Sequence, residues 1–162
     1  MEICEIRVGI ADYKAAYTPS KIITIGLGSC VGVVLLDIIY RIGGLAHIML
    51  PDSTQFSNIA NPAKFADLAI PILLNKMESM GADKSNIVAK IGGGASMFNF
   101  SDRNLIMDIG NRNVESVKNT LKGLSIPIEG EDTGGNQGRT MLLDIGKGKT
   151  FIKTVNTGYI EI

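Results

Sequence analysis

Two residues whose side chains can carry out acyl transfer together lie seventeen positions apart in the first third of the chain. Cys30 ends the glycine-punctuated run TIGLGSC, and His47, the only histidine among the 162 residues, lies in the segment GGLAHIML. A thiol becomes a strong nucleophile when a base or a positive charge favours its thiolate, and histidine is the usual partner. The pair predicts covalent chemistry at a sulfur atom.

Each of these residues alone also fits a purely structural interpretation. A free cysteine often packs as a small apolar side chain, and an isolated histidine is commonly a satisfied core residue. Cys30, however, follows Gly26 and Gly28, which let the backbone open so that several N–H groups can point into one space. A thiol, an imidazole and clustered N–H groups together describe acyl transfer. Amide, ester and peptide substrates all satisfy that scheme.

A third side chain is expected to hold the imidazole in one tautomer, as Asp or Asn does in many Cys–His sites. Thr24, six residues before Cys30 on a predicted strand, offers a hydroxyl group. Asp37 and Asp132 offer carboxylates and remain alternatives. The residues by themselves leave this choice open.

Periodicity predicts three consecutive strands that bring Cys30 and His47 into one sheet. The run IITIG is rich in β-branched residues, and VGVVLLD, directly after Cys30, is nearly continuously apolar, which predicts a strand buried on both faces. In the third run, residues 43–51, a period of two places Leu45, His47 and Met49 on one face.

Two helices and several further strands complete the predicted architecture. One helix begins at Asn61 and Pro62, bends at Pro71 and ends near Met80, with Gly81 as its C-terminal cap. The other predicted elements are a strand over 2–10, a loop over 11–21, a strand over 87–91, a helix from Asn111 or Asn113 to about Lys122, an edge strand over 125–129, and a hairpin formed by 139–145 and 150–155.

Composition and charge limit the class of protein. Hydrophobic residues make up 45% and charged residues 20%, and 16 basic residues balance 16 acidic ones. A chain without net charge or a basic block is not typical of proteins that bind nucleic acid or an anionic membrane. We see neither an apolar run of about 18 residues nor a secretory signal. We therefore expect one domain over 1–162, no membrane insertion, and free Cys4 and Cys30 thiols in a reducing compartment.

No metal or cofactor is expected. One histidine and two cysteines fall short of the usual zinc ligand set. The glycine-rich segment 92–96 lacks the lysine of a phosphate-binding loop, and 132–138 is more typical of a turn before a hairpin. Next to the first of these segments, Met97, Phe98 and Phe100 belong either to the core or to an exposed apolar patch that contacts a protein partner.

Taken together, these motifs resemble those of a known family. TIGLGSC, VGVVLLD and GGLAHIMLPDS, followed by NPAKFADLAIP, KIGGGASMF, IGNRNV and EDTGGNQGRT, closely resemble the CheD family of chemoreceptor glutamine deamidases. The resemblance covers nearly the whole chain. It implies an α/β (α+β) fold, a layered α/β/β sandwich with mixed and antiparallel sheets and two main helices, similar to the catalytic domain of glutamine-deamidating bacterial toxins.

The resemblance also implies an activity and a site. The activity would be hydrolysis of receptor glutamine side chains to glutamate with release of ammonia in the cytoplasm, with hydrolysis of receptor glutamyl methyl esters as a second reaction. By motif position, Cys30 is the nucleophile, His47 the general base and Thr24 the third member. We add the hypothesis that the N–H groups of Ser29 and Cys30 stabilise the oxyanion.

The implied partners are chemoreceptor cytoplasmic helices and the CheC phosphatase, which competes with receptor substrate. For either helical partner we take Met97, Phe98 and Phe100 as the contact surface. Two rival hypotheses remain. The chain is a different Cys–His enzyme, such as a peptidase or transglutaminase, or it is a non-catalytic module that binds CheC or a receptor.

Overall fold

The computed structural model describes residues 3–96 and 108–162, which form ten strands and two α-helices. The strands are β1 (Glu5–Val8), β2 (Tyr13–Tyr17), β3 (Lys21–Leu27), β4 (Val31–Asp37), β5 (Ile42–Ile48), β6 (Ile87–Gly93), β7 (Ile128–Thr133), β8 (Arg139–Asp144), β9 (Lys149–Lys153) and β10 (Ile160–Glu161). The helices are α1 (Ala66–Ser79) and α2 (Ile109–Gly123). Neither of these helices is long and apolar enough to cross a membrane.

The strands form two five-stranded mixed sheets. Sheet A has the order β1-β3-β8-β9-β10, and sheet B has the order β2-β5-β4-β6-β7. The pairs β1 with β3 and β6 with β7 are parallel, and the other pairs are antiparallel. The strands β3, β4 and β5, which carry the predicted site, are therefore central or next to central in their sheets.

Two hydrophobic clusters define three layers. One cluster lies between the sheets and joins Val34, Leu36 and Leu45 of sheet B to side chains of sheet A such as Met141. The other lies on the opposite face of sheet B, where α1 and α2 pack. The resulting order of helices, sheet B and sheet A confirms the predicted α/β/β sandwich.

The strand β4 is the centre of this arrangement. All seven residues of Val31–Asp37 are buried, because both faces of the strand are covered. This burial is the physical reason for its nearly continuous apolar sequence, since each fully buried aliphatic side chain contributes about 1.5–3 kcal/mol. The prediction that this strand is buried on both faces is confirmed.

The first helical region differs from the prediction in its start. Asn61 caps a short turn of 3-10 helix, Pro62–Lys64, and its side chain accepts the N–H of Ala63 at 3.1 Å. Phe65 is extended, so α1 begins only at Ala66. Gly81, with φ +109°, follows the helix as predicted. Pro71 lies inside α1, and the bend there stays a prediction.

Three other elements correct the prediction. Residues 13–17, predicted as part of a loop, form the edge strand β2, because pairing with β5 satisfies a backbone whose side chains are mostly not buried. Helix α2 starts at Ile109, before the predicted Asn111 or Asn113. Strand β7 is at the edge of sheet B as predicted, but it extends to Thr133, into the predicted loop.

Candidate active site

Cys30 lies in the tight turn that joins β3 of sheet A to β4 of sheet B. Its thiol is free, and its side chain is half-buried against the cluster between the two sheets. A strand end next to glycine residues leaves such a side chain partly open to solvent. The turn therefore places the sulfur at the edge of the space between the sheets.

His47 is completely buried on β5, and its ring faces sheet A. It lies directly across from Gly32 of β4. Cys30 lies just before β4 and, like His47, faces the cluster between the two sheets. Gly32 has no side chain, and those of Met141 and Leu27 pack where its Cβ atom would lie. The register of one hairpin thus places Cys30 and His47 on the same side of sheet B, but no hydrogen bond joins the two side chains, and their close approach stays a prediction.

The hydroxyl group of Thr24 connects the histidine to sheet A. Its oxygen lies 2.7 Å from Nδ1 of His47 and 2.9 Å from the carbonyl oxygen of Val8. A hydroxyl has a single proton, and the Val8 carbonyl can only accept. Thr24 therefore donates to Val8 and accepts from Nδ1–H. This leaves the buried Nε2 as an unprotonated nitrogen without a hydrogen-bond partner among the described residues.

The two aspartates considered as alternatives have other partners. Asp37 is buried at the end of β4, where its carboxylate accepts the N–H groups of Ile39, Tyr40 and Asp83. Asp132 lies 3.3 Å from the guanidinium group of Arg139. Neither carboxylate is bonded to His47, so Thr24 is the side chain that orients the imidazole ring.

Burial favours the neutral form of both reactive groups and shifts their pKa values in opposite directions. Desolvation lowers the pKa of His47 to about 4. Desolvation also raises the pKa of the Cys30 thiol, an effect that the hydrogen bond from its own backbone N–H partly offsets. At neutral pH the site therefore contains a thiol and a neutral imidazole. In such a pair, proton transfer from thiol to imidazole is disfavoured at rest and has to accompany attack on a bound substrate.

The turn that carries Cys30 is held through its carbonyl groups. Ala95 N–H donates to the carbonyl oxygen of Gly28 and Gly94 N–H donates to that of Cys30, each at 2.8 Å. The φ of Gly93 is +106°, and a Cβ atom there would collide with the carbonyl oxygen of Cys30. The glycine-rich segment 92–96 thus uses its N–H groups to hold the cysteine turn.

Asn113 also holds the cysteine turn, a role that the sequence did not reveal. Asn113, predicted as a possible helix cap, is completely buried in α2. Its side-chain NH₂ group donates to the carbonyl oxygens of Ser29 and Met49, each at 2.9 Å. It therefore ties the cysteine turn to the end of the strand that carries His47. The run IGNRNV gave only a local helix signal, which could not identify these distant partners.

The remaining predicted site residues fall into two groups. The N–H groups of Ser29 and Cys30 donate to no other residue among residues 3–96 and 108–162. Their role as oxyanion donors stays a prediction. Met97, Phe98 and Phe100 lie outside the described residues. Within the described ranges, no three His, Cys, Asp or Glu side chains are grouped so that they could hold a metal ion.

A half-buried thiol, an oriented neutral imidazole and N–H groups at one strand end are typical of cysteine-dependent acyl-transfer enzymes. The family model described as CheD chemotactic sensory transduction matches residues 49–154 of this chain. Over the full 162 residues, the chain is 64% identical to a protein named probable chemoreceptor glutamine deamidase CheD from Clostridium botulinum strain Hall, with 100% of both chains covered. The chain belongs to the CheD family.

A second relative and one solved structure are also similar to this chain. A protein of the same name from Clostridium kluyveri is 62% identical over 162 residues, again with 100% of both chains covered. Among solved structures, the hypothetical protein YfiH from Bacillus licheniformis matches with a TM-score of 0.47 and 18% sequence identity. That match covers 75% of this chain and 50% of the other.

Proposed function

We propose that this chain is a chemoreceptor glutamine deamidase, acting as one domain over 1–162 in the cytoplasm. It hydrolyses glutamine side chains on chemoreceptor helices to glutamate and releases ammonia. The observation that carries the proposal is the hydrogen bond between Thr24 and His47, because it leaves Nε2 as a base on the same face as the Cys30 thiol. The printed name of the full-length relatives supplies the substrate class.

In the first half-reaction, Nε2 of His47 accepts the thiol proton while the sulfur of Cys30 attacks the amide carbon of the glutamine. The carbonyl electron pair moves onto oxygen, and the N–H groups of Ser29 and Cys30 stabilise this oxyanion. When the oxyanion collapses, the imidazolium gives its proton to the amide nitrogen. The C–N bond breaks, ammonia leaves and an acyl thioester remains on Cys30.

In the second half-reaction, the neutral imidazole of His47 accepts a proton from a water molecule that attacks the thioester carbon. Collapse of the second oxyanion breaks the C–S bond, and the sulfur of Cys30 regains its proton from the imidazolium. The product is glutamate on the receptor. The same steps on a glutamyl methyl ester release methanol, so we extend the proposal to hydrolysis of receptor methyl esters.

The neutral resting state of the site supports this order of events. The low pKa of His47 and the raised pKa of Cys30 disfavour a stored thiolate and imidazolium pair. Proton transfer then accompanies attack on a bound substrate. Such a site spares the thiol from reaction with solvent electrophiles until a glutamine is in place.

Specificity in this proposal comes from the surface around a shallow site, because a single side-chain amide offers few contacts. We assign the contact with the receptor helix, and with the CheC phosphatase as a competing partner, to Met97, Phe98 and Phe100. A chain without net charge does not favour nucleic acid as a partner.

A second candidate function follows from the same thiol. A half-buried cysteine with a raised pKa fits a non-catalytic module that binds CheC or a receptor, in which Cys30 and His47 only pack. Another Cys–His enzyme, a peptidase or a transglutaminase, would use the same site on a different substrate.

The products formed from one substrate separate these functions. A cytoplasmic receptor fragment that contains glutamines is incubated with the protein, and the fragment is analysed by mass spectrometry while ammonia is measured. We expect glutamine to become glutamate with an equal amount of ammonia. A cleaved chain would indicate a peptidase, and an adduct with an added amine would indicate a transglutaminase. Binding without any product would contradict the deamidase and support the binding module.

A further inference from the structure

The three consecutive carbonyl groups of the cysteine turn are each held by a hydrogen bond from outside the turn. Ala95 N–H holds the carbonyl of Gly28, and Gly94 N–H holds that of Cys30. The middle carbonyl, that of Ser29, accepts instead from the side chain of Asn113. The orientation of this amide is unambiguous, because both of its neighbours at 2.9 Å are carbonyl oxygens and only the NH₂ end can donate to them.

The Ser29 carbonyl belongs to the same peptide unit as the Cys30 N–H. The peptide bond is planar and trans, so its C=O and N–H groups point in opposite directions. Fixing the carbonyl on Asn113 therefore fixes the N–H of Cys30 so that it points away from α2. In the same way, the bond from Ala95 to Gly28 fixes the direction of the Ser29 N–H. Within the described residues, neither of these two N–H groups donates to another residue.

The second hydrogen bond of Asn113 reaches the segment that follows β5, the strand that carries His47. Its NH₂ group also donates to Met49, two residues after His47 on the same chain segment. One completely buried side chain thus joins the turn of Cys30 to the end of β5. Burying an amide is costly, and the two bonds of the NH₂ group offset part of that cost, while Oδ1 of Asn113 has no hydrogen-bond partner among the described residues.

We propose that Asn113 is a positioning residue for the oxyanion, which acts by directing the N–H of Cys30 towards the substrate carbonyl oxygen. The inference rests on the proposed function, since it assumes that an oxyanion forms at Cys30. Asn113 does not touch the reacting atoms. Its contribution is to the transition state, in which N–H groups that are already aligned stabilise charge without reorganisation.

The test separates oxyanion stabilisation from the reactivity of the thiol. Asn113→Leu keeps the branching of the side chain but removes both donated bonds, and Asn113→Asp keeps the shape but removes the NH₂ group. Both are made in a Cys4→Ser background, because Cys4 is an exposed free thiol. Asn111→Leu, at an exposed position of the same helix, is the matched control. For each protein we measure kcat for receptor deamidation, the rate of Cys30 alkylation by iodoacetamide, and thermal unfolding.

We expect kcat to fall about 100-fold in the Asn113 variants, because misdirected oxyanion donors lose most of their effect. Alkylation by iodoacetamide forms no oxyanion, so its rate should stay within about threefold of the parent protein. The control should match the parent in both rates. A hydroxyl donor in Asn113→Ser should restore part of kcat.

Three outcomes would overturn the inference. A folded variant with unchanged kcat would mean that Asn113 does not position the donors. An equal fall in kcat and alkylation would place its effect on the thiol. Loss of folding in both Asn113→Leu and Asn113→Asp would make it a structural residue. If the parent protein deamidates nothing, the proposed function itself fails, which the parent measurement reveals before any variant is compared.

Discussion

Thr24 accepts a hydrogen bond from Nδ1 of His47 at 2.7 Å while it donates its own proton to the carbonyl oxygen of Val8. A neutral hydroxyl group thus selects the tautomer that carboxylates or amides select in other Cys–His sites. A carboxylate at this position would favour the charged imidazolium, whereas the hydroxyl adds no charge. The low pKa of the histidine, about 4, is therefore set by burial alone.

Replacing Thr24 by valine should remove the hydrogen bond that joins His47 to sheet A. Valine has nearly the same shape but cannot accept the Nδ1–H or donate to Val8, so the preferred tautomer is no longer held. We expect kcat to fall about 100-fold, the lower end of what general-base catalysis contributes. Stability should fall by about 1–3 kcal/mol, because buried polar groups lose their partner. Thr24→Ser keeps the hydroxyl and should stay close to wild type. Equal rates for valine and threonine would rule out the orienting role.

The pH dependence of kcat/KM should reflect a histidine that stays neutral in mildly acidic solution. With a pKa of about 4, the imidazole of His47 can accept a proton throughout the range in which an ordinary histidine titrates. We expect kcat/KM to stay level between about pH 5 and about pH 8. An acidic limb centred near the ordinary value of 6.5 would contradict the buried, uncharged base.

The same pKa shift makes folding stability depend on pH. Between the ordinary value of 6.5 and about 4, the unfolded chain binds a proton at His47 that the folded protein excludes. The free energy of unfolding from this group is therefore fully present above about pH 6.5 and declines as pH falls towards 4, by on the order of 3 kcal/mol. Urea unfolding at several pH values should reveal this decline. His47→Gln should lack it, and an identical pH dependence in both proteins would refute this assignment.

Two glycine substitutions test the support beneath the cysteine turn. At Gly93, with φ +106°, an added Cβ atom would collide with the carbonyl oxygen of Cys30. Gly93→Ala should cost about 1–3 kcal/mol through backbone strain, and should lower deamidation as the turn moves. Gly123→Ala is the matched control, because a Cβ atom at this last residue of α2 has no heavy atom within 4 Å. Thermal unfolding and deamidation assays compare the two. Equal behaviour would mean that the close approach of Gly93 to Cys30 is unimportant.

The parts of the fold with a strong local signal could be predicted from the sequence. Strand β4 is buried on both faces and reads as a continuous apolar run, and its pairing with β5 places Cys30 and His47 on the same side of sheet B. By contrast, only Ala16 in β2 is buried, so that strand has no clear hydrophobic period and forms through pairing with β5. Its prediction as a loop was wrong because tertiary pairing outweighed the local pattern.

The candidate site was predictable only in its reactive groups. The residue types alone predict Cys30 and His47, and the family resemblance implies Thr24 by motif position. The packing of sheet A against sheet B then shows that Thr24, and neither Asp37 nor Asp132, is bonded to His47. Asn113 could not be found locally, since its bonds reach carbonyls 84 and 64 residues away in the chain. An asparagine at the start of a helix predicts a cap, and nothing nearby in the sequence indicates such distant partners.

The central claim, that Cys30 is the nucleophile of a deamidase, is tested most directly by comparing Cys30→Ala with Cys4→Ala. The two cysteines are both free thiols, but Cys4 is exposed, whereas Cys30 packs against the cluster between the two sheets. Each protein is incubated with a glutamine-containing receptor fragment, and conversion of glutamine to glutamate is followed by mass spectrometry. We predict wild-type conversion by Cys4→Ala and no conversion by Cys30→Ala, with an acyl thioester on Cys30 in acid-quenched wild-type protein. Conversion by Cys30→Ala at the wild-type rate would contradict the claim.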